Sequence, residues 1–283
     1  MGFKFLLAII ALVAVAYVRM NEMLAKKGWD IISRSYQETT RISLEDVHYG
    51  PISPGESELK LLGNVKGKDI LEIGCGGGQN AIVLAKWGAN SVGLDISEEQ
   101  ITYARKLAKK ERVKVPFYVG NMEDLSIFHN ESFDIVLSSF AIGYTENLTR
   151  TFQEVFRVLR KKGLFVFAEV HPIANRGRIT RYGERRIWGV SNYFDRRRRM
   201  WTWKTGGKVA KFYGCHRTIQ DYFNLLVTAR FVIEKILEPE PYPLEKMSET
   251  ERKWIPYLHE DFLKTYDLWR RIPYTIIFKA RKL

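Results

Sequence analysis

Cysteine is nearly missing from this 283-residue chain, with only Cys75 and Cys215 present. Two thiols exclude a disulfide framework and a Cys-based structural zinc site, and they suit a reducing compartment. The five histidines show no metal-ligand spacing, and the G-x-x-x-x-G-K-[ST] loop that cradles a nucleoside triphosphate is absent. There is no internal repeat and no low-complexity linker. Acidic residues are short as well: 32 Asp+Glu face 45 Lys+Arg, a formal net charge of +13. What remains, 46% hydrophobic and 13% aromatic, is a globular composition, long enough for one large domain or a domain with a sizeable insertion. An excess of +13 points to an anionic partner such as nucleic acid, an anionic membrane surface or an acidic substrate, unless it is scattered as a solubility surface. Its placement along the chain decides between these.

The first segment stands apart. Phe5 to Val18 is an uncharged apolar run bracketed by Lys4 and Arg19. As a helix it spans about 21 Å at roughly 1.5 Å per residue, against a hydrocarbon core about 30 Å thick. Counting from Met1 to Met20, with Lys4 and Arg19 snorkelling, brings it to about 30 Å. Three readings stand: a signal peptide ending near Ala14-Val15-Ala16, an uncleaved anchor, and a helix packed on the domain. The anchor, residues 1–20, is carried forward, with residues 21–283 as the main domain. Arg19, Lys26 and Lys27 after the run leave that domain on the cytoplasmic side.

Met20–Lys27 continues the helix, with Gly28 as its stop, and a second helix is expected over Asp30–Glu38. From Lys68 strands and helices alternate. Strands are expected at Asp69–Ile73, Ser91–Asp95, Val115–Val119, Phe133–Ser139 and Gly163–Val170. Helices fall between them, one capped by Ser97, another carrying Phe152, Val155, Phe156 and Leu159 at helical spacing. Five strands joined by helical crossovers imply a parallel, doubly wound α/β sheet. Phe231–Leu237 and Tyr274–Ala280 add an antiparallel pair towards one edge, and a charged helix is expected within Lys246–Leu268.

Gly74-Cys75-Gly76-Gly77-Gly78 follows the first strand and opens a helix; glycines there let the backbone turn sharply and approach a ligand. Asp95 ends the second strand, 21 residues after Gly74, where a carboxylate accepts from both ribose hydroxyls. Together they describe a site for an adenosine-containing ligand at the carboxyl edge of a parallel sheet. A dinucleotide fingerprint would need glycine at position 79, which is Gln79.

LEIGCGGGQNA, VGLDIS, GNMEDL, FDIVLSS and RVLRKKGLFVFAE occur in the order and spacing of class I S-adenosylmethionine-dependent methyltransferases. Over about residues 29–170 the chain resembles their small-molecule branch, which includes quinone-pathway enzymes. The resemblance implies a Rossmann-like seven-stranded sheet, mostly parallel with one antiparallel strand, and S-adenosylmethionine as cofactor. It implies that Glu72 orients the methionine amino group, that Gly74, Gly76 and Gly78 let the loop approach, and that Asp95 holds the ribose. Ile96 and Met122 would pack on the adenine and Asn121 would face its amino group. Ser138, Ser139 and Phe140 would line the methionine end, and Trp29 and Tyr36 resemble aromatics that close over the cofactor.

The implied reaction is in-line displacement of the sulfonium methyl by a nucleophile, in which the protein aligns donor and acceptor. A general base is needed where the acceptor must lose a proton early. His171, after the fifth strand, and His216, at the end of the segment that follows, are the candidates carried forward, with His48 beside Tyr49 in an N-terminal flap. His129 and His259 read as surface or loop residues. SSFAIGY stands where amino-methyltransferases of DNA carry an Asn/Asp-Pro-Pro-Tyr motif, so nucleic acid is not favoured.

Between Arg176 and Arg217 thirteen Lys and Arg face two acids, Glu184 and Asp195, a net of +11. Eight aromatics are interleaved, from Tyr182 to Tyr213. Basic plus aromatic suits a membrane interface or single-stranded nucleic acid; the apolar run at the N-terminus favours the first. The expectation is a lid insertion at about 171–217, facing an anionic membrane surface, over a small-molecule or lipid acceptor. An RNA methyltransferase and a soluble small-molecule enzyme are the alternatives.

Overall fold

A computed structural model describes residues 23–252, 255–258 and 260–283. The apolar run Phe5–Val18, with its anchor and signal readings, lies outside the described residues, as does His259. Among the described residues no helix is long and apolar enough to cross a membrane.

Helix α1 occupies residues 23–40 of the described chain and α2 is Glu56–Leu59. The alternating part follows as β1 (Asp69–Ile73), α3 (Gln79–Lys86), β2 (Asn90–Asp95), α4 (Glu98–Lys110), β3 (Phe117–Val119) and β4 (Phe133–Ser139). Then come α5 (Leu148–Val158), β5 (Leu159–Val170) and α6 (Pro172–Arg176). Two hairpins, β6 (Gly177–Tyr182) with β7 (Arg185–Val190) and β8 (Arg198–Thr205) with β9 (Lys208–Cys215), lead to α7 (Ile219–Thr228) and β10 (Phe231–Leu237). Short helices α8 (Glu249–Arg252), α9 (Glu260–Leu263) and α10 (Tyr266–Trp269) precede β11 (Thr275–Lys282).

The seven-stranded sheet runs β10-β11-β5-β4-β1-β2-β3. Strands β1 to β5 pair in parallel, while β11 is antiparallel to both β5 and β10. The doubly wound sheet with one antiparallel strand is the architecture the sequence implies. Alternation along β1 sends Leu71 and Ile73 to one face and Ile70 to the other. On the first face α5 and α7 bury Phe152, Val155 and Leu226 against Phe165, Phe167 and Phe278; on the second α3 buries Val83 and Leu84 against Ile70, Leu137 and Ile277. Helix starts follow their caps: Ser97 accepts from Gln100 N, Asn147 from Arg150 N, and Thr218 with Asp221 closes a capping box.

Three expectations are corrected. Gly28 does not stop a helix: α1 runs through it, and its missing side chain makes room for the Phe212 ring, 2.6 Å from where a Cβ would sit. The expected helix within Lys246–Leu268 is broken into α8, α9 and α10, which fold over Ile52 with Leu244, Ile255 and Phe262. The expected insertion at about 171–217 is not one irregular segment: residues 177–215 form two antiparallel hairpins. Their turns carry the signal: Gly183-Glu184 and Gly206-Gly207 are two-residue loops with glycine at positive φ.

Candidate active site

A cavity opens at the carboxyl edge of the sheet, where β1, β2 and β4 end. Its lining includes Trp29 and Tyr36 from α1, Gly74 and Gly76 from the glycine loop, Asp95 and Ile96 at the end of β2, Asn121 and Met122 after β3, and Ser139 at the end of β4. These residues, named from the sequence, converge from five segments. Glu72, Gly78 and Ser138 are not on the wall. Ser138 is fully buried and donates its hydroxyl to the Ile73 carbonyl; Gly78, in the left-handed region at φ 78°, starts α3 against Phe117.

The glycine loop is held by acids. Asp95 Oδ2 accepts from Gly76 N at 2.8 Å and Oδ1 from Ser97 N at 2.9 Å. Burial pushes its carboxyl up to about 6, against the pull of those two N–H groups, with the nearby Asp30 adding to the rise. Glu72, 3% exposed, accepts from Ala81 N at 3.0 Å, and burial raises it to about 8. Gly74 (φ 67°) and Gly76 (φ 51°) both need glycine's freedom; a Cβ on Gly74 would strike Ala141, whereas one on Gly76 would come no nearer than 4.0 Å to Gln100. Gln37 of α1 locks that helix to the loop: its amide donates to Gln100 at 2.8 Å and accepts from Gln79 at 2.5 Å.

The other wall is aromatic. Trp29 lies edge-on to Tyr36 and Tyr144, with centroids 5.1 and 5.4 Å away, and Trp203 of β8 reaches both Trp29 (5.7 Å) and Tyr36 (5.4 Å). Phe212 of β9 is fully buried beneath Trp29 and Tyr144. Tyr36 and Tyr257 share a hydroxyl contact of 2.7 Å, and burial raises both phenols above their ordinary value. The sequence held no signal for Trp203, Phe212 or Tyr257 beyond a count of aromatics. It also missed Glu123, a cavity residue whose carboxylate accepts from Glu146 N and Asn147 N.

The histidines fall elsewhere than the sequence suggested. His171 is fully buried; Nδ1 accepts from Ile173 N, capping α6, while Nε2 meets Glu238 at 2.7 Å. His216 Nδ1 lies 3.2 Å from Asn175 Oδ1 in the base of the insertion. Neither lines the cavity. His48 does not line it either, but it contacts a residue that does: its carbonyl accepts from Ser139 Oγ at 2.9 Å, and its ring faces Tyr257, with centroids 6.2 Å apart. Asn80 fixes its tautomer. Asn80 Oδ1 takes the His48 backbone N–H at 2.9 Å, which identifies that atom as oxygen, so the 2.7 Å contact to Nδ1 requires Nδ1–H. Nε2 therefore carries the lone pair, and burial keeps the ring neutral by lowering its pKa.

The insertion divides in two. Hairpin β8–β9 packs beside the cavity, its tip against α1 at Ser35 and Thr39 and its base tied by Arg198 to Glu146 and by Arg217 to the Thr145 carbonyl. Hairpin β6–β7 instead packs on α10 through Trp188 and Trp269, 4.4 Å apart, and the Arg186–Asp267 pair.

Residues present and cofactor implied fit one another: an open glycine, a carboxylate at the end of β2 and apolar residues on either side of it line one cavity. The family described as a methyltransferase domain matches residues 71–167. An uncharacterized methyltransferase, YbaJ of Bacillus subtilis, is 36% identical over 109 residues, 38% of this chain; the match spans 43% of that protein's length. An uncharacterized protein of Haemophilus influenzae is 29% identical over 276 residues, covering 93% of this chain and 99% of its own. The crystal structure of an S-adenosylmethionine-dependent methyltransferase from Mesorhizobium loti, 27% identical, superposes with a TM-score of 0.59 over 78% of this chain and 94% of that one. Glycine loop, Asp95, sheet order and these likenesses agree: the chain carries a methyltransferase domain over residues 71–167, in a fold like that of S-adenosylmethionine-dependent methyltransferases.

Proposed function

We propose that the methyl acceptor is a small lipophilic molecule, bound between α1, the end of β4 and hairpin β8–β9. The aromatic wall carries this reading: Trp29, Tyr36, Phe140 and Tyr144 line the cavity and Trp203 packs behind Trp29 and Tyr36. Such a wall favours an apolar or ring-shaped acceptor and excludes water. S-adenosylmethionine would be held by Asp95, Gly76, Ile96, Asn121 and Met122 and would supply an electrophilic methyl group. The protein's own chemistry is positioning and, for a hydroxyl acceptor, removal of one proton.

His48 is the base on this reading. Residues 48–50 wrap the end of β4, where His48 meets Ser139 and Gly50 leaves room only for the Phe140 ring. The lone pair on Nε2 would take the proton of an acceptor hydroxyl and leave its oxygen as the nucleophile. Asn80 holds the ring in the tautomer that makes this available.

An anionic bilayer surface belongs to the same reading. Hairpin β6–β7 exposes Ile179, Tyr182, Ile187 and Val190 beside Arg178, Arg181 and Arg185, a mixture suited to a headgroup region. The test is incubation with methyl-labelled cofactor and fractionated cell extract. Label in the organic-soluble fraction is expected; label confined to RNA or to water-soluble metabolites sinks the reading.

A further inference from the structure

Arg176 ends α6 at the base of the insertion and is 4% exposed, yet its Nε and Nη2 have no hydrogen-bond partner among the described residues. Those two N–H groups lie along one edge of the guanidinium, the fork that pairs with two oxygens of a single oxyanion. A buried cation without partners is costly, and this one is also crowded by its own sign. Burial lowers its pKa most, the charge of Arg199 next, and Arg197 adds to the effect.

The one carboxylate in the cluster is already engaged. Asp195 accepts from Arg197 Nε at 2.8 Å and Nη2 at 2.9 Å and from Arg199 Nη2 at 2.8 Å. Three guanidiniums and one carboxylate leave two positive charges uncompensated. Two further donor-capable atoms nearby lack partners: His216 Nε2, whose ring feels the Arg176 charge, and Trp188 Nε1, which lies against Gly177. Ser191 ties the following loop over the end of α6, its N and Oγ both donating to the Arg176 carbonyl at 2.9 Å.

We propose that the buried edge of Arg176, backed by Arg199, is the seat of one phosphate-class oxyanion. Phosphate fits better than carboxylate, because a monoester carries about −1.5 to −2 at neutral pH and so matches the two excess charges. The source is either a free phosphate or phosphoester or the headgroup of a lipid. Nothing in this assignment depends on what the methyl acceptor is. It narrows the basic insertion from a general attraction for anions to one built contact.

Calorimetric titration of the full-length protein with inorganic phosphate tests it, with cofactor binding measured on the same samples. Wild type should bind phosphate at one site. Arg176→Met should weaken that binding at least tenfold, while Arg176→Lys, which keeps charge and loses the fork, should fall between. Arg181→Met, an exposed arginine of the same insertion, should match wild type. Retained cofactor binding in both Arg176 variants shows that each has folded. Equal phosphate affinity in wild type and Arg176→Met overturns the proposal, as does equal weakening in Arg181→Met, which would mean diffuse charge. Flotation with phosphatidic acid vesicles separates the sources. Wild type that floats, is released by phosphate and loses flotation on Arg176→Met assigns the headgroup; saturable phosphate binding without flotation assigns the free ester.

Discussion

Around the glycine loop the side chains hold backbone: Asp95 and Glu72 take N–H groups of residues 76, 97 and 81, and Ser138 caps the end of β1. In the insertion rings meet rings and arginines meet carboxylates, with Trp201, Trp203 and Phe212 on one hairpin and Trp188 on the other. The first region is directional, buried and nearly neutral. The second is cationic and mostly at the surface, and it packs behind the aromatic side of a cavity that the first region lines. Buried acids under a backbone loop raise the stakes of every proton there, whereas exposed ion pairs contribute little. Substitutions in the two regions should therefore fail in different ways.

The largest effect is expected at the seam between them. His48→Gln removes the lone pair that Asn80 orients and should lower turnover by roughly 10²–10⁴, with cofactor affinity unchanged by calorimetry. Asn80→Asp should move the acidic limb of the rate profile upward, because a carboxylate beside Nδ1 favours the charged ring. A pH profile indifferent to Asn80→Asp would remove His48 from the chemistry.

Asp95→Ala comes next. It removes the carboxylate facing the cavity and leaves Gly76 N and Ser97 N without acceptors, so cofactor affinity should fall about 10²–10³-fold. Undiminished binding would break the assignment of this wall to the cofactor.

Glu72→Gln tests the buried-acid side through stability. Glu72 titrates near 8 in the folded chain against an ordinary value of 4.5. The folded state therefore holds a proton that the unfolded state has released, and stability falls as pH rises from about 4.5 to 8. Asp95, raised to about 6, adds a fall of the same sign over its lower window. Glu72→Gln should flatten this slope and leave the apoprotein more stable at pH 8 by an amount on the order of a few kcal/mol. Denaturant titrations between pH 5 and 8.5 measure it, and parallel slopes for the two proteins would contradict the burial argument.

The same contrast explains what was legible in the sequence. Strand, glycine loop, helix and Asp95 recur at short fixed spacing, because backbone geometry ties them within one βαβ unit, so the cofactor side was readable residue by residue. Trp203 and Phe212 meet Trp29 across more than 170 positions, and Tyr257 meets Tyr36 across 221. No local period encodes such contacts. The position of His171 after β5 suggested a base, but a histidine before proline also makes a helix cap, and that is the role the fold gives it. The +11 of the insertion was visible as charge; its division between two hairpins was not, because both hairpins are exposed on one face and their alternation is masked by arginine.

Trp203→Ala probes hairpin β8–β9. It deletes the ring between Trp29 and Tyr36 but leaves Phe212 in place, and each aromatic pair lost is worth about 0.5–1.5 kcal/mol. Stability should drop by about 1–3 kcal/mol. On the proposed reading KM for the acceptor should rise more than kcat falls, because the ring backs the acceptor's wall and, of the residues expected at the cofactor, touches only Trp29 and Tyr36. A change confined to cofactor affinity would move Trp203 to the other side of the comparison.

The smallest effect should come from the outermost ion pair. Arg186 and Asp267 meet at 2.7 Å, but both are about half exposed, and pairs of that kind contribute under about 1 kcal/mol once side-chain entropy and salt are counted. Trp188, on the same hairpin, rests on Trp269 at 4.4 Å and fills the space beside Gly177. Asp267→Asn should therefore leave Tm almost unmoved and insensitive to salt, whereas Trp188→Ala should lower it by several degrees. If the two substitutions cost the same, charge rather than ring packing docks this hairpin, and the contrast between the two regions would rest on hairpin β8–β9 alone.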